Sequence, residues 1–123
     1  MSWLDTSIVD ELRALAGPEA VRETIALFMS GGERSLAALR EAQRQGDLEA
    51  LARAAHTLRG RCAIIGARRM AELSAQLEDL ARCGPRDGIA ELLDKLEGEY
   101  ANTRSALEAE ERRPRSADEQ RSR

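Results

Sequence analysis

Six side chains between residues 48 and 65 recur at alternating steps of three and four: Leu48, Leu51, Ala55, Leu58, Cys62 and Ile65. That alternation keeps them on one stripe of an α-helix. A helix with such a stripe must bury it against other elements. Gly66 interrupts the pattern, and Met70, Leu73, Leu77 and Leu80 then resume it. So short a connection makes the two helices antiparallel neighbours.

The rest of the chain carries the same period. Leu4, Ile8, Leu12 and Leu15 mark a first helix, which Asp5, Thr6 or Ser7 can cap. Gly17 ends it, and Pro18 suits the first position of the next. Val21, Ile25 and Phe28 continue, Gly31 and Gly32 intervene, and Leu36 and Leu39 lead on to Gln45. This stretch is either one long helix weakened at the glycine pair or two shorter ones. Gly46 reads as its C-terminal cap and Asp47 as the next N-cap. Cys83-Gly84-Pro85 stops the helix of Met70, and Asp87 can cap a last one bearing Ile89, Leu93, Leu96, Tyr100 and Leu107. The expected fold is all-α: an up-down-up-down antiparallel four-helix bundle, with an additional N-terminal helix across one end or side. The bundle domain is expected over residues 1–107. Residues 108–123 are nearly all charged or polar, enclose Pro114, and are expected to be a disordered tail.

Composition narrows the function. Aromatic residues make up only 2% of the chain, so Leu and Ala must fill the core. The net charge of −3 excludes a strongly basic nucleic-acid binder. Mean hydropathy is −0.48, and no run approaches the ~18 apolar residues of a membrane span. The first residues lack the pattern of a signal peptide, so the cytoplasm is the expected location, with reduced cysteines. Cys62 and Cys83 should lie ~16 Å apart along the hairpin, too far for a disulfide. One histidine cannot complete a zinc set with them, and no metal site is expected. Lys95 is the only lysine, so a single arginine is weak evidence here.

His56 is the only histidine. On a helical net its own stripe holds Ala52, Gly60 and Ala63, all small. A glycine inside a helix costs ~1 kcal/mol relative to alanine, and is tolerated most readily where something must come close. Arg59 lies one row over, within reach of a group attached to the ring. These residues fit two readings: a boundary histidine in an alanine-rich helix, or an imidazole exposed for chemistry with a partner.

The hairpin adds a second residue. If it turns near residue 67, positions whose numbers sum to about 134 share a height. His56 is thereby matched with Glu78, which flanks the seam residue Leu77. Its carboxylate could accept a hydrogen bond from one ring nitrogen, leaving the other nucleophilic. Gln76, on the opposite flank, is the fallback. Glu78 could equally be a solvated charge paired with Arg82, four residues on.

The stretch His56-Thr57-Leu58-Arg59-Gly60-Arg61-Cys62-Ala63-Ile64-Ile65-Gly66-Ala67 resembles the signature of histidine-containing phosphotransfer (HPt) domains, roughly His-x-Leu-Lys-Gly-Ser-Ser-Ala-x-Leu-Gly-Ala. Leu77-Glu78 and Ala81-Arg82 match the family's next helix, and the likeness extends over most of residues 4–107. The resemblance implies a four-helix bundle carrying a phosphoryl group on His56. Arg59 takes the place of the lysine beside that group, and Glu78 that of a residue bonding the imidazole. It implies that the phosphoryl group comes from the receiver domain of a sensor kinase, or from a kinase directly, and passes to the Asp of a response-regulator receiver. No cofactor of its own is implied; the receiver supplies Mg²⁺. The chain would be a phosphocarrier and no enzyme in isolation.

Arg61 and Cys62 depart from the family's small residues. Arg61 should point ~140° away from His56 and leave the site open. Ala52, Ala55, Ala63 and Ile64 are the expected docking patch for the partner. The domain is expected to be a monomer, without nucleic-acid or membrane partners. A different reading is a helical adaptor that docks on a signalling partner without being phosphorylated. A third, the phosphoacceptor region of a sensor kinase, is disfavoured because His56 lacks the following acidic residue and nearby proline of that family.

Overall fold

The computed structural model describes residues 4–113 and contains four α-helices. They are α1 (Thr6–Gln45), α2 (Leu48–Ile65), α3 (Arg68–Cys83) and α4 (Ile89–Glu111), with a 3-10 turn at Arg86–Gly88 before the last. Helix α1 packs on α2, α2 on α3, α3 on α4 and α4 back on α1, which closes the bundle. Among the described residues no helix is long and apolar enough to cross a membrane.

The seams meet in one core. Leu51, Ala55, Leu58, Cys62 and Ile65 of α2 are buried against Met70, Leu73 and Leu77 of α3. Ile25, Phe28 and Leu39 of α1 and Leu93, Leu96 and Leu107 of α4 complete it. Thr103 fills the α4 seam between Tyr100 and Leu107. Cys62 is buried and Cys83 exposed, and both are free thiols. Burial pushes the Cys62 thiol up to about 12, so it stays protonated as part of the core.

Helix α1 breaks once, at Gly17, where φ is 86° and ψ is 174°. That backbone region is essentially reserved for glycine. Residues 6–16 therefore leave the axis of 18–45 and lie across the end of the bundle. Asp5 caps this segment through Ser7, and its N–H donates to the Gly66 carbonyl at 2.7 Å. At the far side Arg13 donates to the Glu110 carbonyl at 2.9 Å. Leu15, expected on the apolar stripe, is exposed. The buried face centres on Val9 instead, and six residues on from Val9 is ~240° round the helix.

Of the two readings for residues 18–45, one long helix is the one found, and it is unbroken at Gly31 and Gly32 because both are packing surfaces. The Arg61 guanidinium occupies the space a side chain at Gly31 would need, and the Tyr100 ring does the same at Gly32. Asp87 lies in the 3-10 turn, and no side chain caps α4, whose N-cap is Gly88. Helix α4 also runs past Leu107 to Glu111, so residues 108–111 belong to the folded part. Arg13 and Arg113 hold Glu110 there, at 3.5 and 3.1 Å. The expectation of a disordered tail over residues 114–123 lies outside the described residues.

Candidate functional site

The Gly66 turn sets the register between α2 and α3. Gly66 caps α2 with φ at 83°, and a Cβ there would stand 2.6 Å from the Asp5 carbonyl oxygen. Only a glycine allows both the left-handed turn and the close approach of the N-terminal segment. From this turn the two helices run side by side, and His56 and Glu78 meet.

The His56 side chain is 68% exposed, whereas that of Glu78 is 11% exposed. His56 Nδ1 lies 3.2 Å from each Glu78 carboxylate oxygen. Gln76 is exposed on the other flank, so the structure decides between the two candidates in favour of Glu78. Arg82 Nε donates to Glu78 Oε2 at 3.1 Å. Arg59 Nη1 stands 3.8 Å from Oε1. Glu78 thus sits in a ring of one imidazole and two guanidinium groups.

Burial raises the pKa of the Glu78 carboxyl, but the hydrogen bonds from Arg82 and His56 outweigh it and hold the group below the usual carboxylate range. An ionised carboxylate can only accept hydrogen bonds. The proton of a neutral His56 ring bonded to it must then sit on Nδ1, which leaves the lone pair on Nε2. This orientation resembles that of a catalytic-triad imidazole, whose carboxylate fixes the tautomer and steadies the ring when it becomes charged.

Around the ring the surface is partly as expected. Gly60 is exposed, and nothing lies within 4 Å of where its Cβ would be. No packing within the chain requires a glycine there, and the surface is open to a visitor. Ala63 and Ile64 are exposed as well. Ala52 and Ala55 are 1% and 0% exposed, so they belong to the core and meet no partner. Helix α2 touches both α1 and α3, and its buried arc is wide enough to take in both alanines.

Two residues that the sequence did not place in the site are Arg82, which contacts Glu78, and Leu27, which shares a groove with Ile64. Leu27 of α1 is exposed, and with Thr24, Phe28, Arg61, Ile64 and Ile65 it lines an apolar groove between α1 and α2. A single outward leucine gives no periodic signal, so only the packing of α1 on α2 shows it. Arg82 was visible as a possible ion-pair partner of Glu78 and as part of the match to the family's next helix, without a role in the site. Arg61 turns away from His56 onto α1, as its angle predicts, and its Nε is buried without a hydrogen-bond partner. Among the described residues, no group of three or more His, Cys, Asp or Glu side chains could hold a metal ion.

The chain is similar to known proteins in sequence profile and in fold. The sequence profile of the Hpt domain matches residues 23–106. The crystal structure of histidine-containing phosphotransfer protein B (HptB) from Pseudomonas aeruginosa PAO1 is similar, with a TM-score of 0.83 and 28% identity over 91% of this chain and 96% of that one. A putative histidine-containing phosphotransfer protein from rice shares the fold, with a TM-score of 0.75 and 20% identity over 83% of this chain and 76% of that one. A comparison with curated proteins gave no significant match. The profile spans α2, α3 and the residues His56, Arg59, Gly60 and Glu78, and on it the chain belongs to the Hpt domain family.

Proposed function

We propose that the chain is a phosphocarrier of a two-component phosphorelay. It accepts a phosphoryl group on His56 from the receiver domain of a sensor kinase, or from a kinase directly. It passes the group to the Asp of a response-regulator receiver. The observation that carries this reading is the bond between an exposed imidazole and a buried carboxylate, with Nε2 as the free nucleophile.

The Nε2 lone pair forms a P–N bond, and the P–O bond of the partner's aspartyl phosphate breaks. Its electron pair stays on the leaving carboxylate. Nδ1 keeps its proton, so the ring becomes cationic against Glu78. Arg59 is near enough to offset the charge of the arriving phosphoryl group, which in-line transfer requires. The return to an aspartate is the same step reversed. On this reading the metal ion that assists the transfer is the receiver's own.

Ala63 and Ile64 are the parts of the expected docking patch that reach solvent. Leu27 shares a groove with Ile64 and extends that patch onto α1, giving a partner apolar surface to cover.

Incubation with a phosphorylated receiver tests the proposal. Label that is acid-labile and base-stable, and absent from His56→Gln, is the expected result. Receiver binding with no label from any of a panel of receivers would favour the adaptor reading instead.

A further inference from the structure

The two guanidinium groups hold Glu78 unequally. Arg82 brings both Nε and Nη2 to 3.1 Å from Oε2. Arg59 Nη1 is 3.8 Å from Oε1, beyond hydrogen-bond distance. A carboxylate sunk between two helices needs a counter-charge, and stranding it without one is strongly unfavourable. Arg59 alone could meet that need only by closing on Oε1, where it would be unavailable to anything bound at Nε2. Arg82 lies four residues along α3 from Glu78, on the same face, and meets the need from behind.

We propose that Arg82 is a positioning residue for phosphotransfer. By clamping Glu78 it fixes the acceptor behind His56 Nδ1, and it releases Arg59 to move from Glu78 Oε1 to the incoming phosphoryl oxygens. The inference rests on the phosphotransfer reading of His56. When the P–N bond forms at Nε2, the ring gains a positive charge and the group beyond it brings two negative ones. Glu78 then faces the ring, Arg59 faces the phosphoryl group, and Arg82 keeps the carboxylate from drawing Arg59 back. No covalent step is assigned to Arg82.

Arg82→Gln and Arg82→Lys in the full chain test this by two separate readings. The first is the imidazole ¹⁵N spectrum of the unphosphorylated protein, which reports the tautomer. Wild type should show the proton on Nδ1, Arg82→Gln a mixture, and Arg82→Lys a return towards wild type. The second is transfer from a phosphorylated receiver, with receiver affinity measured separately. Arg82→Gln should slow transfer about tenfold at unchanged affinity, and the lysine variant should recover most of the loss. Combined with Arg59→Gln, the glutamine variant should cost less than the product of the single effects, because the arginine it diverts is gone.

A wild-type tautomer spectrum in Arg82→Gln overturns the proposal. So does a loss of transfer that arises wholly from weaker docking. Failure of the wild-type protein to take any phosphoryl group would overturn the phosphotransfer reading alone, and the tautomer spectrum would still decide whether Arg82 positions the ring.

Discussion

His56 Nδ1 lies 3.2 Å from both oxygens of Glu78, and the two side chains come from opposite arms of the α2–α3 hairpin. The pair joins an exposed ring to a buried acceptor, so its geometry is set by packing and survives at the surface. Removal of the acceptor should therefore act on reactivity more than on folding. Glu78→Ala should slow phosphotransfer roughly ten- to a hundredfold, the range expected for a lost hydrogen bond to a charged group. Glu78→Gln should lose less, because its amide oxygen still accepts. Single-turnover transfer rates for the three proteins check the order.

The same carboxylate makes stability depend on pH. Its pKa in the folded chain lies below that of an ordinary glutamate, despite burial, because Arg82 and His56 bond to it. A group depressed in this way contributes stability above the unfolded value of about 4.3 and loses it as pH falls through the lower folded value. The stability of wild type relative to Glu78→Gln should accordingly fall as the solution is acidified through that window. Urea unfolding of both proteins at neutral pH and below pH ~4 measures it. A difference independent of pH would show that folding does not lower the pKa of Glu78.

The height match of His56 with Glu78 was legible in the sequence because helical rise and a one-glycine turn fix it. The seams were legible for the same reason, since a 3.6-residue period is written in the side chains themselves. What the sequence did not disclose was depth. Ala55 already lay on the α2 seam, but Ala52 shares its small size with Gly60 and Ala63, and only the contacts of α2 with both neighbours show that it is sealed. Gly31 and Gly32 looked like breaks because a glycine that receives a neighbouring side chain is indistinguishable in sequence from one that bends a helix. Arg82 was legible as a partner for Glu78 and as part of the family match, but not as a group that holds the carboxylate behind His56.

Gly60 separates stability from function. Nothing occupies the space beside it, and alanine is the better helix former by about 1 kcal/mol. Gly60→Ala should raise stability by that amount and slow phosphotransfer, because a methyl group then stands where the partner approaches. Denaturant midpoints and transfer rates are the measurements. Faster or equal transfer in the stabilised variant would remove Gly60 from the site.

At Gly17 the opposite sign holds. Its backbone conformation is one that other residues adopt only at a cost of order 1–3 kcal/mol. Gly17→Ala should destabilise the chain by that amount although open space surrounds the position. Thermal unfolding tests the magnitude.

The apolar groove gives a test of docking. Leu27 and Ile64 are 71% and 72% exposed, on different helices. Leu27→Asp and Ile64→Asp should each weaken receiver binding about tenfold or more, as expected when an apolar anchor is replaced by a charge. Helix content should stay unchanged, because both side chains face solvent. Ala52→Asp should instead unfold the bundle, since that site is closed. Titration calorimetry alongside circular dichroism distinguishes the two effects.

In the proposed function one nitrogen of one side chain carries the phosphoryl group. The most direct test is to phosphorylate the protein from a cognate receiver and locate the group by ³¹P–¹⁵N correlation in imidazole-labelled protein. The geometry predicts a single phosphohistidine at Nε2 of His56, with Nδ1 still protonated against Glu78. Phosphate on Nδ1, or on any other residue, would contradict it.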